Sequence, residues 1–239
     1  MKKWLLGFLF CFPISVFTQV TWDTLQVKPS SLVEYNQPQQ LDFPLFKTGN
    51  KKVDEKITGH LAQSFTQETF PVDSLQAGLD SWAASGLVHL SFEVTYNQKD
   101  LVSLVLYAEG CGAYCSSWRR YFTYATTTGK PISIADLVRL DDSLSQKIMK
   151  DKQEQLIENE MELLEMVKKG ELDTTSLEWA MNYYNQCDEQ FSLSEFILHQ
   201  EEIEWVFLCE LPHAIRNLTP IVELKYSYPQ LQDFLLFEP

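Results

Sequence analysis

Three strand-like segments joined by short connections constrain this fold more than any other feature of the sequence. Residues 88–96 alternate between apolar and mainly polar side chains, which is the pattern of a half-buried strand. Apolar segments at 101–108 and 118–126 follow, after a turn at 97–100 and a cysteine-bearing loop at 111–115. Because these connections are too short for the crossovers that parallel strands need, the sequence predicts an antiparallel meander.

Helical patterns lie on both sides of this meander. Apolar residues recur at every fourth position in 51–66, which predicts an amphipathic helix. Pro71 and Asp73 open a second helical candidate, although Gly78 weakens it. Thr175 and the glutamate three residues later have the spacing of a capping box, which predicts a further helix in the C-terminal half.

The strongest helical pattern extends over 143–169 and ends at Gly170. Its apolar positions are separated by glutamate, lysine and glutamine, so we expect one face to be buried and the other solvated. The apolar stripe that we expect to face the core consists of Leu144, Ile148, Ile157, Met161 and Leu164.

The C-terminal part predicts further strands. Segments at 191–199 and 203–209 have the pattern of a hairpin, and 221–226 predicts a last strand before a short helix or turn at 229–237. The fold class that all these elements predict is α+β. It comprises an antiparallel sheet of meander strands and a C-terminal hairpin, packed against several helices.

Residues 41–46 predict a short strand at the edge of the sheet, because Pro44 has no N–H to donate to a ladder. We divide the chain after its first 18 residues into an N-terminal subdomain, residues 19–100, and a C-terminal subdomain, residues 101–239. We expect the two to pack together as one globular unit.

The N-terminus has the pattern of a secretory signal peptide. Two lysines precede an almost wholly apolar run at 4–17, which is shorter than the roughly 20 residues that span a bilayer. Thr18 is small enough for the last position before a cleavage site. We therefore expect removal of residues 1–18, no membrane span in the mature chain, and a periplasmic or secreted protein. A retained membrane anchor is the alternative.

The mature chain is strongly acidic. Removing residues 1–18 takes away two lysines and no acid, so the formal net charge moves from −14 to −16. Such a surface repels phosphate backbones, which argues against nucleic acid as a partner. It favours basic proteins or cations, although acidity can also serve solubility alone. With 45% apolar residues the chain can bury a substantial core and is not disordered.

Four cysteines follow the predicted signal peptide: Cys111, Cys115, Cys187 and Cys209. An even number in an exported chain favours disulfides, and four cysteines allow three connectivities. Cys111 and Cys115 can close a tight loop, which leaves Cys187 for Cys209. A zinc site is the alternative, but two pairs with the usual zinc spacing are absent, so we expect no metal.

Catalytic signatures are missing from the sequence. It contains no G-x-S-x-G elbow, P-loop, H-E-x-x-H motif or nucleotide-binding glycine pattern, so we expect no cofactor. None of the four histidines lies three or four residues from another, as a two-histidine metal site on one helix requires. We therefore assign no catalytic residue, and the sequence favours a non-enzymatic protein over an enzyme.

Two segments have the composition of recognition sites, and they contain four candidate ligand-binding residues: Tyr114, Trp118, Arg119 and His213. The first segment is the cysteine loop, with Tyr114 at its tip, and the basic, aromatic stretch after it. Alternation places Trp118 and Arg119 on opposite faces of the strand. The second segment is the loop 210–219, because loops carry binding in many scaffolds. The alternative is that the aromatic side chains fill the core and the arginines pair with acids.

Three stretches of the chain together have a recognisable layout: the strand at 101–104, TGKPISIADL at 128–137 and PIVELKYSYPQL at 220–231. In these stretches the chain resembles the extracytoplasmic domain family shared by the anti-sigma factor RsiV and the peptidoglycan deacetylase PdaC. Two loops depart from the family pattern: Tyr114 stands where histidine is common, and the turn at 209–214 differs.

The resemblance implies a stand-alone binding module. The RsiV domain is known for binding lysozyme, whereas the PdaC copy accompanies a catalytic domain. We therefore expect a non-enzymatic module for an envelope or extracellular protein, favoured to be basic, or for a wall-derived ligand. An envelope enzyme or accessory factor acting on cell-wall glycan is the alternative, and a structural protein of the envelope is a third possibility.

Overall fold

The computed structural model describes residues 19–30 and 40–239. The predicted signal peptide, residues 1–18, lies outside the described residues. The fold is α+β, as predicted, and contains two sheets with helices packed against them. The strands of the first sheet, in chain order, are β1 (Thr21–Gln26), β2 (Gln40–Lys47), β3 (Leu87–Gln98), β4 (Leu101–Cys111) and β5 (Cys115–Ala125).

The first sheet has its strands in the same order in space as in sequence. Strands β3, β4 and β5 form the predicted antiparallel meander. The turn between β3 and β4 has positive φ angles at Lys99 and Asp100, which is the geometry of a tight two-residue hairpin. Strand β2 pairs in parallel with β3, so the sheet is mixed, and the crossover between them carries helices.

The prediction that residues 41–46 form an edge strand was wrong. Strand β1 covers that edge and pairs with β2 from Thr21 opposite Lys47 to Gln26 opposite Asp42. The side chains of β1 are almost all exposed, so its sequence lacks the alternation that indicates a strand. Pro44 is tolerated because β2 pairs with β3 only at its first two residues.

The crossover between β2 and β3 contains α1 (Lys51–Thr66), the 3-10 helix Val72–Ser74 and α2 (Leu75–Ala83). The Asn50 side chain caps α1 by accepting a hydrogen bond from the Lys52 N–H. In α2 the Phe70 ring lies against Gly78, where a Cβ atom would clash with it. The glycine that weakens the helical pattern is therefore required by packing.

The C-terminal half contains the helices and the second sheet. Its elements are α3 (Ile134–Leu137), α4 (Asp142–Lys169), α5 (Thr174–Gln190), β6 (Phe196–Leu198), β7 (Glu202–Trp205), β8 (Leu224–Ser227) and α6 (Tyr228–Leu231). Strands β6, β7 and β8 form an antiparallel sheet in that order. The predicted hairpin is therefore shorter than expected and gains a third strand, since residues 206–209 leave the ladder after Trp205.

Helix α4 begins at the Asp141 cap and ends at Gly170, which has a φ of 75°. The second half of its predicted core stripe was wrong: Ile157, Met161 and Leu164 are 44%, 60% and 44% exposed. The buried side of α4 instead consists of Leu144, Ile148, Lys152, Leu156 and Leu163. The buried Lys152 interrupts the apolar periodicity of the core side. The apolar residues Ile157, Met161 and Leu164, which the sequence pattern assigned to the core, therefore lie on the exposed side of the helix.

Helix α5 is capped two residues earlier than the sequence pattern predicts, at Asp173 and not at Thr175. The side chain of Asp173 accepts a hydrogen bond from the N–H of Ser176, and α5 begins at Thr174. The predicted capping box that begins at Thr175 was therefore wrong, although the helix itself is present. None of the helices in the described part of the chain combines the length and the apolar character needed to cross a bilayer.

The two sheets meet at a small apolar junction. Val105 of β4 packs with Ile197 and Val206, which belong to the second half of the chain. At its edge the Leu198 N–H donates to Ser103 Oγ at 3.3 Å. The predicted subdomain boundary after residue 100 falls in the β3–β4 turn, and the division stays a prediction.

Candidate functional site

The two disulfides that the cysteine spacing favours are both present. One joins Cys111 to Cys115, which are directly opposed residues at the end of the β4–β5 hairpin. The other joins Cys187 of α5 to Cys209, in the segment after β7. The first bridge closes the hairpin tip, and the second holds the start of the predicted recognition loop 210–219 against a helix.

One face of the β3–β4–β5 meander changes from buried to exposed toward this tip. Strand pairing places polar residues side by side across the three strands: His89, Glu109 and Ser117 in one row, and Ser91, Tyr107 and Arg119 in the next. Further from the tip, Ser103 and Thr123 on the same face are buried under the second sheet. The part of the face near the tip is therefore open to solvent.

The loop 210–219 lies beside this open part of the sheet. Its 3-10 helix, His213–Leu218, begins with His213. The His213 ring lies 6.4 Å from the ring of Tyr114 at the hairpin tip, measured between centroids, with 34° between the planes. The two segments predicted as recognition sites, which are about a hundred residues apart in sequence, therefore meet in space.

Two adjacent cavities lie between the hairpin and the loop. One of about 370 Å³ is lined by His89, Tyr107, Ala108, Glu109, Ser117, Trp118, Arg119 and Glu210. The other, of about 530 Å³, is lined by Ser117, Arg119, Tyr183, Cys209, Glu210, Leu211, Pro212, Arg216 and Thr219. Since they share Ser117, Arg119 and Glu210, we call the pair the Arg119 groove. Volumes in this range are typical of ligand sites.

Arg119 lies in the middle of the groove and makes no close ion pair with any residue that the structure describes, although its charge adds to the hydrogen bond with His199 in lowering the pKa of Glu204. Its guanidinium forms no ion pair within 4 Å in the described part of the chain, unlike most of the lysines near the sheet and helix surfaces. Nearby, burial raises the pKa of Tyr121 to about 12, and burial also raises the pKa of Tyr107. Both hydroxyls therefore stay protonated at neutral pH and can donate hydrogen bonds.

Trp118 has a different position from the other predicted binding residues. It points to the opposite face from Arg119, as alternation predicts, and its ring stacks on Phe65 of α1 at 6.4 Å between centroids. It also covers Gly110, where a Cβ atom would lie 3.3 Å from the indole. Trp118 lines one edge of the groove, but its main contacts are with the first core. This matches the alternative in which the aromatic residue fills the core.

The tip also brings together a carboxylate and two sulfurs. One ligand atom each of Glu109, Cys111 and Cys115 lie within 4.8 Å of one another. The two sulfurs are bonded to each other in the disulfide. Thiolates are the form of cysteine that binds metals, so the bridged pair does not supply them.

Sequence reasoning missed several lining residues of the groove, among them Tyr107, Tyr183, Glu210 and Arg216. One signal was available for Tyr107. If Cys111 and Cys115 are directly opposed, counting back along both strands places Tyr107 opposite Arg119. Glu210 and Arg216 lie in the loop that was singled out, but their direction depends on how that loop packs. Tyr183 comes from α5, which carried no binding prediction.

Comparisons with known proteins identify a fold relationship. A DUF3298 family protein from Pseudomonas aeruginosa PAO1 is 14% identical, with a TM-score of 0.51 over 90% of this chain and 93% of the other. A member of the DUF3298 family from Bacteroides fragilis NCTC 9343 is also 14% identical, with a TM-score of 0.48 over 94% and 95%. No protein-family model matches the sequence, and no curated protein is significantly similar to it. The Pseudomonas structure shows a shared fold and no more than that.

Proposed function

We propose that this chain is an exported, non-enzymatic binding module that holds its ligand in the Arg119 groove. The observation that carries the proposal is the convergence of the bridged hairpin tip and the loop 210–219 around Arg119. Both walls are anchored by disulfides, so little loop entropy is lost when a ligand binds. Tyr114 is 80% exposed and offers an aromatic body with a hydroxyl group.

The ligand in this proposal is an envelope or extracellular protein, or a fragment derived from the cell wall. The resemblance to the RsiV and PdaC domains supports this class of ligand. The net charge of −14 supports a basic protein partner through long-range attraction. The two disulfides support an oxidising location, periplasmic or extracellular.

Two purified probes test this function: lysozyme, and insoluble peptidoglycan in a sedimentation assay. We expect the mature protein to bind at least one of them, and Tyr114→Ala and Arg119→Ala to weaken that binding about tenfold or more, as hot-spot residues do. Arg120→Ala is the matched control. It removes the same charge from the neighbouring position, which lines a separate cavity of about 270 Å³ with Phe191 and Glu195.

Equal loss of binding in the Arg120 variant would show a general charge effect and contradict the assignment of the groove. Binding of neither probe would overturn the proposed ligand classes. Export is tested separately by mass spectrometry of the native protein, which should begin near Gln19. Recovery of the protein with its first 18 residues would contradict that part of the proposal.

A second candidate, action on wall glycan, is favoured by one observation. Glu109 and Glu210 both line the 370 Å³ cavity, and glycan hydrolysis commonly uses two carboxylates. Release of soluble fragments from purified peptidoglycan by the wild-type protein, but not by Glu109→Gln or Glu210→Gln, would establish this function. Release that is unchanged in both variants would point to a contaminant.

A further inference from the structure

The larger cavity of the Arg119 groove contains two arginines that reach it from different parts of the chain. Arg119 comes from β5, and Arg216 comes from the 3-10 helix His213–Leu218. Neither guanidinium forms an ion pair within 4 Å among residues 19–30 and 40–239. Pairing is common elsewhere on this acidic surface, as Lys47 with Asp23 and Lys130 with Asp136 show.

The charges around this cavity favour an anion with one negative charge over an anion with two. Glu210 also lines the cavity, so the charges of the lining residues sum to one positive unit. Glu204, whose pKa is lowered by its hydrogen bond with His199 and further by Arg119, reduces this positive charge. The whole chain has a formal charge of −14, and its field opposes a dianion more strongly than a monoanion. A guanidinium binds carboxylates and phosphates with the same planar pair of N–H groups, so the surrounding charge decides between them in favour of the carboxylate.

The other walls indicate what the carboxylate is attached to. Leu211 and Pro212 provide apolar surface, and Tyr183 provides an aromatic ring with a hydroxyl group. A volume of about 530 Å³ is much larger than a carboxylate, so it has room for one or two residues of a peptide. The Thr219 hydroxyl already donates to the Arg216 carbonyl at 2.7 Å, so toward a peptide it can accept a hydrogen bond from an N–H group.

We propose that Arg119 and Arg216 bind the terminal carboxylate of a peptide whose last side chain is apolar and packs against Leu211 and Pro212. This inference deepens the proposed function and rests on it, because it names the ligand chemistry at the same groove. It assigns a binding role to Arg216, which the sequence did not single out.

The probes are the dipeptide N-acetyl-Ala-Leu, its C-terminal carboxamide, N-acetyl-glutamic acid α-amide and inorganic phosphate. Binding is followed by calorimetry and by the NMR signals of the arginine Nε–H groups. Two exposed arginine–carboxylate contacts should make the acid bind about fivefold or more tightly than its carboxamide. The α-amide carries a side-chain carboxylate only, so it separates a terminal carboxylate from an internal acidic residue.

The variants Arg119→Gln and Arg216→Gln should each abolish the preference for the acid, whereas Arg120→Gln should keep it. The inference is overturned if the carboxamide binds as tightly as the acid, or if phosphate or N-acetyl-glutamic acid α-amide binds more tightly than the acid. Absence of binding by the acid up to about 10 mM, a concentration that corresponds to a negligible affinity, also overturns it.

These outcomes are distinct from failure of the proposed function. If lysozyme or peptidoglycan binding depends on Tyr114 but the acid and the carboxamide bind equally well, the proposed binding function is supported and the proposed carboxylate subsite is overturned. If the protein binds the acid more tightly than the carboxamide but binds neither lysozyme nor peptidoglycan, the carboxylate subsite is supported and the proposed ligand classes are overturned.

Discussion

The two disulfides of this protein lie in opposite environments. The Cys111–Cys115 bridge joins two residues that are four positions apart in sequence, at an exposed hairpin tip. The Cys187–Cys209 bridge spans 22 residues and is buried in the C-terminal core, one residue from Asp188. A bridge stabilises a protein by restricting its unfolded chain, and the effect is larger for longer loops. We therefore expect the buried bridge to contribute more to stability, and the exposed bridge mainly to fix the conformation of the hairpin tip.

The charged pair beside the buried bridge should give the largest effect. Lys152 is 2% exposed, forms an ion pair with Asp188 and lies 4.9 Å from the Phe191 ring centre. Asp188→Asn leaves this ammonium buried without its counter-charge. We expect the free energy of unfolding, measured in urea, to fall by about 3–5 kcal/mol.

The double variant Lys152→Met, Asp188→Asn is the control for this pair. Because it removes both charges and keeps the volume, it should recover most of the lost stability. If Asp188→Asn alone is as stable as the wild type, Lys152 is solvated in solution and the pair does not contribute to the core.

Removing the buried bridge should have the next largest effect. For a closed loop of this length the chain-entropy relation gives about 3 kcal/mol at 25 °C. The variant Cys187→Ala, Cys209→Ala should therefore unfold at a clearly lower urea concentration, with an m-value equal to or larger than that of the wild type because the unfolded chain is less restricted. A loss below about 1 kcal/mol would remove the contrast between the two bridges, since it would mean that burial alone holds α5 in place.

Opening the exposed bridge should cost less. The same relation gives about 2 kcal/mol as an upper figure for the short loop, because the hairpin is also held by its strand pairing. Access should favour its reduction over that of the buried bridge. Mild reductant followed by thiol alkylation of the folded protein should label Cys111 and Cys115 only, and denaturation should then release the other pair. Labelling of Cys187 or Cys209 first would contradict the comparison.

The smallest effect on stability is expected at the tip itself. Tyr114→Ala removes an exposed side chain, so the free energy of unfolding should change by less than about 0.5 kcal/mol. Trp118→Ala, four residues further on, should cost more because the indole stacks on Phe65 and covers Gly110. If both variants were equally destabilising, Tyr114 would belong to the packed structure and not to a binding surface.

The parts of the fold that could be predicted are those with an uninterrupted period. Helix α1 has the predicted bounds because its apolar positions repeat without exception, and the β3–β5 meander was identified by alternation and short turns. Strand β1 was missed because an exposed edge strand has no apolar pattern. The core side of α4 was lost at Lys152, whose charge is neutralised by a residue 36 positions later.

The candidate site could be predicted only as separate pieces. The basic, aromatic stretch beside the cysteine loop identified the tip, and the position of 210–219 between two predicted strands identified the loop. Their meeting depends on how the second sheet packs against Val105, which no local pattern encodes. Arg216 shows why the sequence was not sufficient. It is a candidate binding residue because it lines the same cavity as Arg119, and only the tertiary structure shows this.

The hairpin bridge has a consequence for the register of strands β4 and β5. Side chains alternate between the two faces of a strand, so a slip of one residue would turn Arg119 toward the apolar core and Trp118 toward the groove. The bond between the directly opposed Cys111 and Cys115 forbids that slip once it has formed. This small disulfide therefore decides which chemistry each face of the hairpin presents, and the oxidised protein keeps Arg119 and Trp118 on fixed, opposite faces.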